Sequence, residues 1–195
     1  MKKKLILVAG PPACGKNFVS NLLCERVQPI AYLDKDDLAD LVRNSFAICH
    51  EKLDMDGAFY ANHLRPAEYS TLFHLAFSAL RFQDLVLVNA PLSKEVRDPA
   101  CMQRLQEQAK QANAKLVLIW VTAPLSVCYE RMKSRNSDRD TLKLENWNAY
   151  ASKINYDPPY DLKNEGIVDE LIVFYNENET ALAKALQETV LALTD

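Results

Sequence analysis

Short apolar runs alternate along the chain with stretches in which apolar residues recur every three or four positions. Leu5 to Ala9 is the first run, and it stops at a glycine and two prolines, as a strand buried on both faces of a parallel sheet does. Phe18, Val19, Leu22 and Leu23 then follow at helical spacing until Pro29 closes the segment. Ile30 to Leu33 predicts a second strand, and Leu38, Leu41 and Val42 a second helix. Cys49 to Gly57 is polar and predicts a connection or an irregular helix. Beyond Pro66, a residue suited to the first turn of a helix, Tyr69, Leu72, Phe73, Ala76, Phe77 and Leu80 form the clearest amphipathic pattern in the chain.

Three further strands are expected at Leu85 to Val88, Leu116 to Val121 and Leu171 to Tyr175. Between and after them lie helices marked by Met102, Leu105, Ala109 and Ala112, by the stretch opening at Pro124, and by Leu182, Ala185, Leu186 and Leu193. Strands alternating with helices of this length require right-handed crossovers, which give an α/β fold with a doubly wound parallel five-stranded sheet. No repeat or linker divides the chain, so residues 1–195 read as a single domain. In such sheets ligands bind beyond the carboxyl ends of the strands, so chemistry belongs in the turns after Ala9, Leu33, Val88 and Val121.

Composition narrows the classes of function. With 49% hydrophobic and 25% charged residues the chain can bury a core, which excludes a mainly disordered protein. A net charge of -3 gives no support for a phosphate-backbone binder, so nucleic acid is not the expected partner. The first apolar run is too short for a signal-peptide core or a membrane span, and a cytoplasmic protein without a membrane partner is expected. Five cysteines without C-x-x-C spacing fit reduced thiols and offer no zinc site, and the three histidines are scattered.

Gly10, Pro11, Pro12, Ala13, Cys14, Gly15, Lys16 and Asn17 follow the spacing G-x-x-x-x-G-K-[ST] except at the last position. Glycine is scarce, with four in the whole chain, yet two fall on the required positions of this one loop. The loop lies between a strand and a helix, where backbone N–H groups, the helix N-terminus and Lys16 all favour phosphate. Residues Gly10 to Phe18 are therefore expected to bind a nucleoside triphosphate. Cys14 reads either as a small loop residue or as a reactive thiol at a helix N-terminus.

With this loop, with Leu33-Asp34-Lys35-Asp36-Asp37-Leu38 after the second strand, and with the arginines between Arg131 and Arg139, the sequence resembles the small P-loop kinases. That group includes gluconate kinase, adenylylsulfate kinase, chloramphenicol phosphotransferase, zeta toxins and the kinase domain of polynucleotide kinase. The resemblance implies the P-loop NTPase fold and ATP-dependent phosphoryl transfer to a small hydroxyl-bearing acceptor. It implies that Asp36, or failing that Asp34, takes the acceptor's proton, and that Arg131 and Arg135, on a lid spanning about 131–145, steady charge on the phosphoryl group. The residues alone also allow blander roles: the aspartates as a helix cap, with Asp36 or Asp37 at the cap, and the arginines as a solvated face paired with Glu130 and Asp138. Arg43 suits either an anionic acceptor or these aspartates, residues His50 to Arg65 the acceptor pocket, and Asn176 to Thr180 the adenine.

Two departures concern Mg²⁺. Asn17 stands in place of the Ser or Thr whose hydroxyl meets the metal, and Asn89, after the third strand, stands where many relatives carry an aspartate. Amide oxygens ligate Mg²⁺ or hold one of its waters without adding negative charge, which shifts the burden of binding onto the triphosphate. A nucleotide-binding protein or NTPase with weak turnover is the alternative function. A polynucleotide 5′-end kinase is a third, for which the acidic balance provides no basic groove.

Overall fold

The computed structural model describes residues 2–137 and 140–194. Five parallel strands, β1 (Lys3–Ala9), β2 (Ala31–Asp34), β3 (Leu85–Asn89), β4 (Ala114–Thr122) and β5 (Glu170–Tyr175), form one sheet in the order β2-β3-β1-β4-β5. Each contains the apolar run from which it was expected, apart from Ile30, which precedes β2. Side chains alternate across a strand, and here both faces are buried. Leu5, Leu7, Val86, Val88, Leu116, Leu118 and Trp120 pack on one face, and Ile6, Val8, Leu85, Leu87, Val117, Ile119 and Val121 on the other.

The first face is covered by α3 (Arg65–Ala79) and α4 (Pro99–Gln111), through Tyr69, Leu72 and Ala76 of one and Met102, Leu105 and Ala109 of the other. The second takes α1 (Lys16–Arg26), through Val19 and Leu23, and Cys128 of α5 (Leu125–Arg135). It also takes the long α9 (Glu179–Thr194), through Ala185, Leu186 and Leu193. Asp98 caps α4, accepting from the N–H groups of Ala100 and Cys101.

A 3-10 turn at Lys35–Leu38 leads from β2 into α2 (Ala39–Ile48), whose Val42 and Phe46 form a small satellite core with Tyr60. The π-helical turn Tyr60–Leu64 ahead of α3 departs from the sequence pattern, as do the short helices α6 (Thr141–Glu145), α7 (Trp147–Ala151) and α8 (Tyr160–Asn164). These are at most five residues long, too short for helical periodicity to show. Among the described residues no helix is long and apolar enough to cross a membrane.

Candidate functional site

The sheet order sends the connection from β1 to one side and that from β4 to the other, so the turn after β1 occupies the point where strand order reverses. That turn is the loop Gly10 to Gly15, with Lys16 opening α1. Its backbone is tightly constrained. Gly10 (φ 151°), Ala13 (φ 61°) and Gly15 (φ 94°) all lie at positive φ. A Cβ at Gly10 would meet the Val121 carbonyl oxygen at 2.3 Å, and one at Gly15 would meet Asn176 Nδ2 at 2.3 Å. Gly10 is thus required by the main chain at the end of β4 as well as by conformation, and Gly15 by conformation, with the Asn176 amide lying where its Cβ would go. Lys16 Nζ donates to the carbonyl oxygens of Gly10 (3.0 Å) and Pro11 (3.1 Å), which folds its charge over the loop.

Cys14 is fully buried beneath the loop. Burial pushes its thiol up, against the opposing pull of Lys16 and Arg131, so at neutral pH it is a protonated packing group. The small-residue reading of Cys14 therefore holds over the reactive-thiol one. Phe18, one residue into the helix beyond Asn17, is 53% exposed.

A second group of polar side chains comes from the carboxyl ends of β2 and β3. Asp34 and Asn89 are register partners, as are Asn89 and Val8 of β1, so the ends of three adjacent strands lie level. Asp34 Oδ2 accepts from the Tyr32 hydroxyl (2.6 Å) and from Asn89 Nδ2 (2.8 Å), and Oδ1 accepts from the main-chain N–H of Asp36 (2.9 Å). Asn89 Nδ2 also lies 3.1 Å from Asn17 Oδ1 and 3.3 Å from the Tyr32 hydroxyl. A polar chain therefore runs from Asp34 through Asn89 to Asn17 at the start of the phosphate-loop helix. Asn89 is only 2% exposed, and its Oδ1 is buried without a hydrogen-bond partner among the described residues. Tyr32, on the same side of β2 as Asp34, has its hydroxyl pushed up by burial and by the Asp34 carboxylate it bonds, which keeps it a donor.

Asp34, rather than Asp36 or Asp37, caps the 3-10 turn. Asp36 and Asp37 are exposed, and among the described residues neither carboxylate has a hydrogen-bond partner. Arg43 pairs with Asp40 at 2.6 Å on the surface, away from the three aspartates named with it.

The arginines of α5 are held in two different ways. Arg131 Nη1 donates to the Cys14 carbonyl (3.1 Å) and Nη2 to that of Asn176 (2.9 Å), while Asn176 Nδ2 donates to the same Cys14 oxygen (2.8 Å). Arg135 pairs with Asp140, which is 1% exposed, through Nε at 2.8 Å and Nη2 at 2.5 Å. Among the described residues Arg135 thus pairs with the buried Asp140 and not with the expected Glu130; Asp138 and Arg139 lie outside the described residues. Asn176 falls in the segment assigned to the adenine, yet its side chain addresses the loop. Tyr32 and Asp140 escaped sequence reasoning. For Tyr32 a signal existed, since residues two apart on a strand share a face.

Around the segment from 50 to 65, buried ion pairs fasten the neighbouring elements. Lys35 Nζ meets Glu68 Oε1 at 2.9 Å, and the Tyr60 hydroxyl donates to Glu68 Oε2 at 2.5 Å. Arg65 forks onto Glu95 at 2.6 and 2.9 Å and stacks 4.4 Å from the Tyr69 ring. Glu51 to Asp56 is exposed.

A family model described as an AAA domain matches residues 5–156. No curated protein sequence matches the chain. Among solved structures, the APS kinase of Mycobacterium tuberculosis, in complex with AMPPNP and APS, is similar at 20% identity and a TM-score of 0.57, over 100% of this chain and 99% of that one. A sugar kinase from a Janibacter species is similar at 10% identity and 0.61, over 98% and 95%. Shikimate kinase from Bacteroides thetaiotaomicron is similar at 11% and 0.52, over 98% and 99%. At these identities the likeness shows a common fold, that of the small P-loop kinases.

Proposed function

Because the chain belongs to the AAA-domain family and has the fold of the small P-loop kinases, we propose that it transfers the terminal phosphate of ATP to a small hydroxyl-bearing acceptor. The observation that carries this reading is the division of labour after β2. Asp34 is wired through Asn89 to Asn17 beside the phosphate loop, while Asp36, two residues on, presents at the surface a carboxylate without a hydrogen-bond partner among the described residues.

On this reading the loop N–H groups and the start of α1 hold the triphosphate, and Lys16 exchanges its carbonyl partners for phosphate oxygens. Asp36 takes the proton of the acceptor hydroxyl, a role that needs a carboxylate within hydrogen-bond reach of that proton. Asp34 positions the turn that carries Asp36. Arg135, held side-on to Asp140 through Nε and Nη2, meets the transferring group through its remaining N–H donors. The oxygens of Asn17 and Asp34 are hard donors that would suit Mg²⁺ or its water shell, and Asn89, which turns Nδ2 towards both, would join them only with its amide reversed. The metal, when bound, supplies charge neutralisation on the phosphates.

One contact favours the second reading, nucleotide binding with weak turnover. Asn17 Oδ1, the atom that would face the metal, already accepts from Asn89. A screen of hydroxyl-bearing metabolites, with ATP and Mg²⁺ and mass-spectrometric detection of products heavier by one phosphoryl group, separates the two. A phosphorylated product abolished by Lys16→Ala supports the kinase, and tight ATP binding without any product across the screen supports the binder.

A further inference from the structure

We propose that Asn176 and Arg131 are positioning residues that present the phosphate loop, acting through the carbonyl of Cys14 rather than on the phosphate being transferred. The proposal rests on the phosphate-loop reading above. A loop that binds phosphate turns its N–H groups inward, so its carbonyls turn away and each needs a donor elsewhere. At Cys14 that need is met twice, by Asn176 Nδ2 at 2.8 Å and by Arg131 Nη1 at 3.1 Å. The other arm of the guanidinium, Nη2, takes the main-chain carbonyl of Asn176 at 2.9 Å. Three elements distant in sequence, the loop after β1, helix α5 and the turn after β5, thus converge on one peptide group.

The brace is rigid at its far end. Asn176 is 4% exposed, and its own N–H donates to the Thr122 carbonyl at 2.8 Å, which fixes it to the end of β4. It also presses on the loop as closely as glycine permits, since a Cβ at Gly15 would lie 2.3 Å from its Nδ2. Arg131 spends one N–H of each arm on a main-chain oxygen, which fixes the plane of its guanidinium against the loop. The fork reaches the carbonyls of Cys14 and Asn176 through two separate nitrogens at one fixed geometry, which the single nitrogen of a lysine cannot reproduce.

The test compares Asn176→Ala and Arg131→Lys with the parent protein, using two probes: ATP and inorganic triphosphate, titrated calorimetrically. Each variant is expected to bind both probes about tenfold more weakly, equivalent to about 1.4 kcal/mol, because a buried carbonyl has lost a donor. The loss should be equal for the two probes, since the loop meets only phosphate. Irreversibly unfolded protein would reduce the number of sites and leave their affinity unchanged, reversible unfolding is ruled out by a melt of each unliganded variant lying well above the titration temperature, and Arg131→Lys, which keeps bulk and charge, provides a second readout if Asn176→Ala folds poorly. Weakened ATP binding with unaltered triphosphate binding would make Asn176 an adenine contact and overturn the proposal. Unaltered affinity for both probes, with turnover alone reduced in Arg131→Lys, would return Arg131 to the lid and also overturn it. A parent protein that binds neither probe refutes the phosphate-loop reading itself, a result distinct from either.

Discussion

Asn89→Asp exchanges the amide at the centre of the polar chain for the carboxylate that many P-loop kinases carry there. In the structure Asn89 Nδ2 donates to Asp34 Oδ2 across 2.8 Å, at a residue 2% exposed. The variant would set two carboxylates against each other with charge centres about 4 Å apart, a repulsion of about 4 kcal/mol at an effective dielectric constant of about 20. The pair can instead share one proton, at about 1.36 kcal/mol for each pH unit above an ordinary carboxyl value near ~4, which also reaches ~4 kcal/mol at pH 7. The folded variant then holds a proton that the unfolded chain releases, so its stability falls as pH rises above ~4 and levels off above the pair's folded value. A hard divalent cation between the carboxylates relieves the same strain. Urea unfolding should show the variant less stable than the parent by about 1–2 kcal/mol at pH 5 and about 4 kcal/mol at pH 8, with millimolar MgCl₂ restoring part of the loss at pH 8. If Asn89→Asp tracks the parent at both pH values, with and without Mg²⁺, the polar chain does not form as described.

Lys16→Ala should abolish the thermal shift produced by ATP, which for a ligand at 100 times its dissociation constant is about 2.7 kcal/mol of stabilisation in the parent; an unchanged shift sinks the phosphate-loop assignment. Asp36→Asn should leave ATP affinity intact and slow acceptor phosphorylation about a hundredfold, measured once the metabolite screen supplies an acceptor; if Asp34→Asn alone is inactive, the proton acceptor is Asp34. Lys35→Met should cost about 3–5 kcal/mol by leaving Glu68 buried without its cation, and the double change with Glu68→Gln should recover much of that in denaturant unfolding. Burial pushes the Cys128 thiol from 9.0 up to about 11. The unfolded chain therefore loses this proton first, and between those values stability should fall by about 2–3 kcal/mol. Melting curves across that range should be flatter for Cys128→Ala, and identical slopes would argue against the burial.

The fold was legible because five apolar runs and the helical spacings between them are strong, periodic signals, and the loop Gly10 to Asn17 sits on the one turn the topology singles out. Strand order was not written in any run: it depends on which crossovers place β1 between β3 and β4. At the site, residue types pointed to the right neighbourhood, and pairing decided the roles. Asp34 and Asp36 look alike in sequence, but only Asp34 shares a register position with Asn89, so it alone is tied towards Asn17. Arg131 and Arg135 also look alike at a four-residue step. One finds two main-chain carbonyls and the other finds Asp140, a residue five positions on that nothing in the helical pattern singles out.

Glu68 joins Lys35, just after β2, to Tyr60, ahead of α3, and the exposed stretch 49–56 hangs between those two fastenings. A span tethered at both ends can be lengthened or rewritten at small cost, because closure entropy rises only slowly with length. On the proposed function this makes the stretch an exchangeable cassette. Descendants of such a protein can acquire new acceptors by editing it, while the anchors and the phosphate chemistry pass on unaltered.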